Sequence, residues 1–408
     1  MNCYKRVYLF LFVVSFLLVI SGYSPGDAWA KKPKAILIPC IIDLSGPYAA
    51  ITAPAFSGFS DAAEYVNQKG GIKGVPLKPV IRDCGGRVNV AISHYMEFRE
   101  MKPKPLTLFI SVSAQGEALR ERIVEDKFMA MSVPGGSSIY PIANTFGLYP
   151  LYQDMFGGFI DWVVENWDYD KMGRKPKISI LTWDTTFGRA ILTPEVFEYA
   201  KKKNIDLIDK VLFSIRDLDV TTQLIRIKMR KPDWVYTNVA VEGSAAIVKS
   251  AQSIKYNIKL GGNTTLDWSS IMLAGELLNG TTLIYTFKSW DDVDDPGIKI
   301  LTKWFTEKKR KPTERTLVYQ LAWANVLTLQ KVISEAVDEV GWDKLDGNEV
   351  KRQMEKLQDF APMGLTYYSF NPKKHAPGKA YIAEIKDEKI IPISDWRELP
   401  DLRPAAHK

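Results

Sequence analysis

The chain has 408 residues, 46% of them hydrophobic, and 54 Lys and Arg against 47 Asp and Glu give a formal charge of +7. That length exceeds one ordinary core and suits two lobes of roughly 150 to 200 residues. The basic residues are dispersed, with runs only at Lys201-Lys202-Lys203 and Lys308-Lys309-Arg310-Lys311, which excludes a basic stripe for nucleic acid.

Residues 1–30 read as a cleavable secretory signal. Lys5 and Arg6 precede the apolar run Val7 to Ile20, and small and turn-forming residues lead to Ala28-Trp29-Ala30. The run is short for a membrane-spanning helix of about 20 residues, and no later segment is apolar for long enough. Cleavage removes Lys5, Arg6 and Asp27, leaving 52 basic and 46 acidic residues and a charge of +6. An exported protein keeps Cys40 and Cys84 where a disulfide can persist. They either form one or stay as two buried free thiols.

From Lys34 onward short apolar strands alternate with amphipathic helices, the pattern of parallel sheet covered on both faces. Strands are expected at 35–42, 77–82, 106–111 and 128–132, with helices near 53–68, 88–101 and 115–125. Pro39 removes a ladder hydrogen bond, so the first strand should lie at an edge or be irregular there. After a connection at 146–151 the pattern restarts. A helix at 152–166 leads to strands at 178–183, 207–213, 234–238 and 258–262, separated by helices of which the first is started or kinked by Pro194. A strand at 281–287, a loop at 289–297 and helices near 297–309 and 315–340 complete the chain.

Asp43-Leu-Ser-Gly-Pro-Tyr-Ala-Ala50 turns the first strand into a helix, and Asn67-Gln-Lys-Gly-Gly-Ile-Lys-Gly-Val-Pro-Leu-Lys78 ends that helix with glycines suited to a left-handed cap. Together with Ser111-Val-Ser-Ala, Val133-Pro-Gly-Gly-Ser137, Trp183-Asp-Thr-Thr-Phe-Gly188 and Tyr319-Gln-Leu-Ala322, these segments resemble the periplasmic branched-chain amino-acid binding proteins. These are the type I solute-binding proteins of ABC importers. The resemblance covers nearly the whole chain after the signal. It implies an α/β fold of two doubly wound parallel-sheet lobes joined by a three-segment hinge. The first lobe would take 34–148 and 284–375, and the second 149–283 and 376–408. A small-molecule ligand would sit in the cleft, delivered to ABC transporter permease subunits by a monomer in the periplasm. No cofactor is implied.

By the same resemblance, Ser111, Ser113, Gly135, Gly136 and Ser137 would hold a ligand carboxylate through hydroxyls and helix N-terminal amides, a chemistry suited to anions. Tyr48 and Phe187 would wall the cleft from opposite lobes, with Trp183, Asp184 and Asn238 close by and Trp268 on a loop facing it. Amino-acid binders place an acid on the second lobe to hold the ammonium group. Here Leu260-Gly-Gly-Asn-Thr264 puts Asn263 there, and an amide cannot neutralise an ammonium. The expected ligand is therefore a carboxylate without an α-amino group, unless Asp184, Glu242 or Asp267 supplies the charge. His94, His375 and His407 lack metal-ligand spacing, and no nucleophile elbow or phosphate loop is present. An enzyme is accordingly disfavoured. A sensory binding protein that signals through a membrane receptor is the alternative.

Overall fold

The computed structural model describes residues 32–133 and 143–408. The signal-like segment 1–30 and the expected carboxylate-binding residues Gly135, Gly136 and Ser137 lie outside the described residues. Two α/β lobes are present. In the first, β1 (Ile36–Ile42), β2 (Leu77–Asp83), β3 (Thr107–Ile110), β4 (Met129–Ser132) and β5 (Thr145–Gly147) form a parallel sheet in the order β2-β1-β3-β4-β5. The second sheet has the order β12-β11-β10-β9-β8-β6-β7, from β6 (Lys177–Trp183), β7 (Asp206–Phe213), β8 (Trp234–Tyr236), β9 (Leu260–Asn263), β10 (Thr282–Tyr285), β11 (Lys379–Lys386) and β12 (Lys389–Pro392), with β13 (Arg397–Glu398) against β11. Strands β6 to β10 run parallel, and β11 joins β10 antiparallel. The chain passes between the sheets after Gly147, after Tyr285 and before Lys379. Strand 282–285 thus belongs wholly to the second sheet.

One expectation needs correction, and one open alternative is decided. Strand β1 is interior, flanked by β2 and β3, although it contains Pro39. Backbone groups alternate sides along it: Ile42 accepts from Cys84 on the β2 side and Ile41 from Ser111 on the β3 side. The Pro39 nitrogen therefore faces β3, whose pairing with β1 starts only at Cys40, so no ladder bond is lost. Cys40 and Cys84 are both free thiols. Cys40 packs with Ile38 and Phe59 on one face of the first sheet, whereas Cys84 joins Ile41, Tyr95 and Leu108 on the other. The sheet separates them, which rules out the bridge.

Local sequence explains the parts that carry the cleft. The helix Pro54–Gln68 starts with proline at its first position, and Gly70 and Gly71 follow it at φ +97 and +68. A Cβ on Gly71 would lie 2.3 Å from the Val75 carbonyl oxygen, so this turn tolerates no side chain. The 24-residue helix Leu317–Val340 lies against Pro54–Gln68, and a Cβ on Gly58 would come within 2.8 Å of the Tyr319 carbonyl oxygen and of Ala322. Beside this contact the buried Asp61 carboxylate accepts from Arg310 at 2.5 and 2.9 Å and from the Tyr319 hydroxyl at 2.8 Å. In the second lobe the segment after β6 forms two helices, the second started by Pro194. Thr186–Arg189 is one turn, and Pro194–Lys202 begins with Pro194 behind the Thr193 cap.

Candidate functional site: an uncharged cavity between the lobes

A cavity of about 260 Å³ lies between the lobes. Its walls come from segments that follow strands: Tyr48, Ile51 and Thr52 after β1, Gly86 after β2, Ser111 to Ala114 after β3, Val133 after β4 and Tyr149 and Tyr152 after β5. The second lobe contributes Thr185, Thr186 and Phe187 after β6, Ala240 after β8 and Thr265 after β9. Open parallel sheets bind ligands at these carboxyl ends. Leu317, Val318 and Leu321 close one side from the long helix, and Phe109 lines the floor.

The turn after β1 shows how sequence aims a side chain. Buried Asp43 accepts from the amides of Gly46 at 2.6 Å and Tyr48 at 3.0 Å, while its own amide donates to Ser111 Oγ at 3.0 Å. A Cβ on Gly46 would lie 2.4 Å from the Gly85 backbone, so Asp43-Leu-Ser-Gly-Pro-Tyr folds only with glycine at its fourth position. Tyr48 is thereby held at the cavity, facing Thr185 of the other lobe's wall and edge-on to Trp183 at 6.2 Å. Ser111 Oγ accepts one bond and keeps its proton to donate.

Ser113 and Ala114 line the cavity as the first residues of the helix Ser113–Glu125. The opening amides of a helix have no acceptor within it, which makes this end of the cavity suited to negative charge. The Tyr149 and Tyr152 hydroxyls share a 2.8 Å bond. Burial pushes the phenols of Tyr48, Tyr149 and Tyr152 up, so they remain neutral donors. These three are the only ionisable side chains among the described residues lining the cavity, and no acid, lysine, arginine or histidine joins them.

Of the residues singled out in the sequence, Tyr48, Ser111, Ser113 and Phe187 meet at the cavity. Trp183 is buried behind Tyr48 and Phe187. Asp184 points to solvent and pairs with Arg189 at 2.5 Å. Asn238 and Asn263 lie beneath the wall: Asn238 Nδ2 donates to the Phe187 carbonyl at 2.6 Å, its Oδ1 accepts from Asn263 at 2.5 Å, and Asn263 Oδ1 accepts from the Thr265 amide at 3.0 Å. These two amides brace the loops that carry Phe187 and Thr265. Trp268 opens the helix Trp268–Ala274 and lies outside the cavity wall, under the Arg315 guanidinium at 4.7 Å. Sequence reasoning passed over Tyr149, Tyr152, Thr185, Thr186, Thr265 and the helix face Leu317, Val318 and Leu321. Thr185 and Thr186 sat inside a motif already noted, and Leu321 inside Tyr319-Gln-Leu-Ala322.

The family model described as periplasmic binding protein matches residues 35–389. Solved structures with the same fold include a branched-chain amino acid ABC transporter protein from Thermus thermophilus with bound valine. It is 16% identical with a TM-score of 0.81, covering 91% of this chain and 98% of that one. A fatty acid ABC transporter substrate-binding protein from Thermomonospora curvata is 18% identical with a TM-score of 0.76, covering 92% and 96%. An ABC transporter substrate-binding protein from Aeropyrum pernix is 18% identical with a TM-score of 0.78, covering 90% and 96%. A comparison with curated proteins finds no match. The matched span takes in both lobes and the cavity between them: the chain belongs to the periplasmic binding protein family, with the type I fold.

Proposed function

We propose that this protein is the exported solute-capturing component of an ABC importer, taking a small carboxylate with an apolar body and no cationic amine, and passing it to a membrane permease. The observation that carries the reading is a cavity wall without charge among the described residues: hydroxyls and a helix N-terminus at one end, aromatic and aliphatic walls elsewhere. Such a site supplies donors for a carboxylate and a surface for hydrocarbon. Its described lining supplies no anion for an ammonium group: Asp43 is held by two backbone amides, Asp184 by Arg189 and Asp267 by two further amides, and Glu242, in the first turn of the helix Val241–Ser253, does not line the cavity. The volume of about 260 Å³ lies at the small end of ligand cavities, which favours short branched or single-ring acids over long chains. Similar folds are described with valine and as a fatty acid carrier, and the cavity chemistry sides with the acid that lacks the amine.

Calorimetry with matched pairs tests this: 3-phenylpropanoate against phenylalanine, and 4-methylpentanoate against leucine. Burying an unmatched ammonium costs several kcal/mol, so the amine-free member of a pair should bind at least about a hundredfold more tightly. Tighter binding of the amino acid in both pairs would refute the reading.

A further inference from the structure

One buried acid beside the cavity is not accounted for by ligand capture. Asp267 follows β9 in the second lobe, is fully buried, and does not line the cavity. Its Oδ1 accepts from the Ser269 amide at 2.9 Å, capping its own helix Trp268–Ala274. Its Oδ2 accepts from the Leu317 amide at 2.8 Å. Leu317 is the first residue of Leu317–Val340, a helix of the first lobe. The N-cap of that helix, Thr316, gives its hydroxyl oxygen to the Tyr319 amide, which leaves the Leu317 amide as a donor that Asp267 satisfies from across the cleft. Next to this bond, the guanidinium of Arg315, two residues before Leu317, covers the ring of Trp268, the residue after Asp267, at 4.7 Å. Thr265, Leu317 and Val318, which line the cavity, adjoin this junction.

We propose that Asp267 is a closure latch, a positioning residue that caps the first lobe's long helix only when the lobes have shut on the cavity. The cavity is walled by both lobes, and only three chain crossings join them, so a solute enters when the lobes part. In the parted form the Leu317 amide and the Asp267 carboxylate return to water. In the shut form each completes the other, and the bond is charge-assisted and shielded from solvent. The Asp267 carboxylate sits outside the cavity wall and meets Leu317 only at its backbone amide, so it sets how long the lobes stay shut without choosing what they hold.

The test needs no ligand, and its outcome is therefore separate from that of the specificity reading. Dyes at E121C and E198C, on exposed positions of the two lobes, report transient closures of the ligand-free protein by single-molecule energy transfer. L317P removes the donor at a helix position where proline is tolerated, and Thr316, at φ −130 and ψ 166, already has a backbone suited to precede it. L317P should shorten the closed-state lifetime by roughly ten- to a hundredfold relative to L317A, which keeps the amide. D267A should shorten it by a similar factor in the wild-type background and have little further effect in L317P. Equal lifetimes in L317P and L317A, or an undiminished D267A effect in the L317P background, would overturn the proposal and reduce Asp267 to a cap of its own helix.

Discussion

The sequence leads one to expect Asn263 where an amino-acid binder would carry an acid, yet its side chain is buried in the second lobe against Asn238 and Thr265, and replacing it with alanine tests that placement. The residue is fully buried and joins three loops through Asn238 and Thr265. In N263A the Oδ1 of Asn238 loses its donor and the Thr265 amide loses its acceptor, while the Thr265 hydroxyl keeps the Val239 carbonyl at 2.7 Å. Each buried polar group left without a partner costs about 1–3 kcal/mol, so two orphans should lower stability by about 2–6 kcal/mol. Urea unfolding followed by tryptophan fluorescence measures this, since Trp183 and Trp234 belong to the same lobe. N263D should be worse than N263A, because it sets an unpaired carboxylate against the Asn238 oxygen, and it should gain no affinity for leucine or valine. A loss below about 1 kcal/mol in N263A, or amino-acid binding by N263D, would refute the brace and return the position to the ligand.

Arg310→Met should destabilise the first lobe by about 3–5 kcal/mol, because Asp61 would keep its buried charge with only the Tyr319 hydroxyl for support; a loss under 1 kcal/mol by urea unfolding would count against a structural ion pair. Without reductant, a chain starting at Lys31 should resist a thiol reagent while folded and take up two equivalents once unfolded, since Cys40 and Cys84 are free and buried; no uptake on unfolding would mean a disulfide. Burial pushes the Asp154 carboxyl up to about 7, against the nearby Lys374 and the Leu402 amide that lower it. The folded protein then holds one proton more than the unfolded chain between about pH 4 and 7, so acidification through that window should stabilise the wild type over D154N by about 1.4 kcal/mol per pH unit. Parallel stability profiles for the two proteins from pH 7 to 5 would contradict it.

Alternation of short apolar runs with amphipathic helices made both lobes legible, since parallel strands buried on two faces leave a strong hydrophobic signature. The antiparallel additions were not legible. β11 to β13 carry Lys379, Lys386, Lys389 and Arg397 among their apolar residues, which reads as surface rather than as sheet edge. β5 spans only Thr145–Gly147 and looked like a connection. Pro39 misled because the rule against proline in central strands assumes a partner on both sides at that residue, and here the partner strand begins one residue later.

In the candidate site, residues fixed by their own turn were readable, and residues fixed by distant partners were not. Tyr48 is aimed by Asp43 and Gly46 within six residues of sequence, so its motif carried the information. Asp184, Asn263 and Asp267 all lie at the carboxyl ends of second-lobe strands, where the sequence offered Asn263 in the place of an acid and Asp184 and Asp267 as substitutes for it. Their roles diverge through contacts 5, 25 and 50 residues away, with Arg189, Asn238 and Leu317. Among the described residues the cavity wall is neutral, and Asp43, Asp184 and Asp267 beside it are each held by a backbone amide or an arginine. Charge selectivity in this fold therefore depends on which partner holds each acid, and freeing one would alter selectivity only if its side chain could also reach the cavity. Asp184, exposed and turned away, fails that condition. Asp267 adjoins the wall at Thr265 and Leu317, but its carboxylate is tied to two amides in the closed form. The same two bonds that would make it a latch keep it from serving as an ammonium receptor.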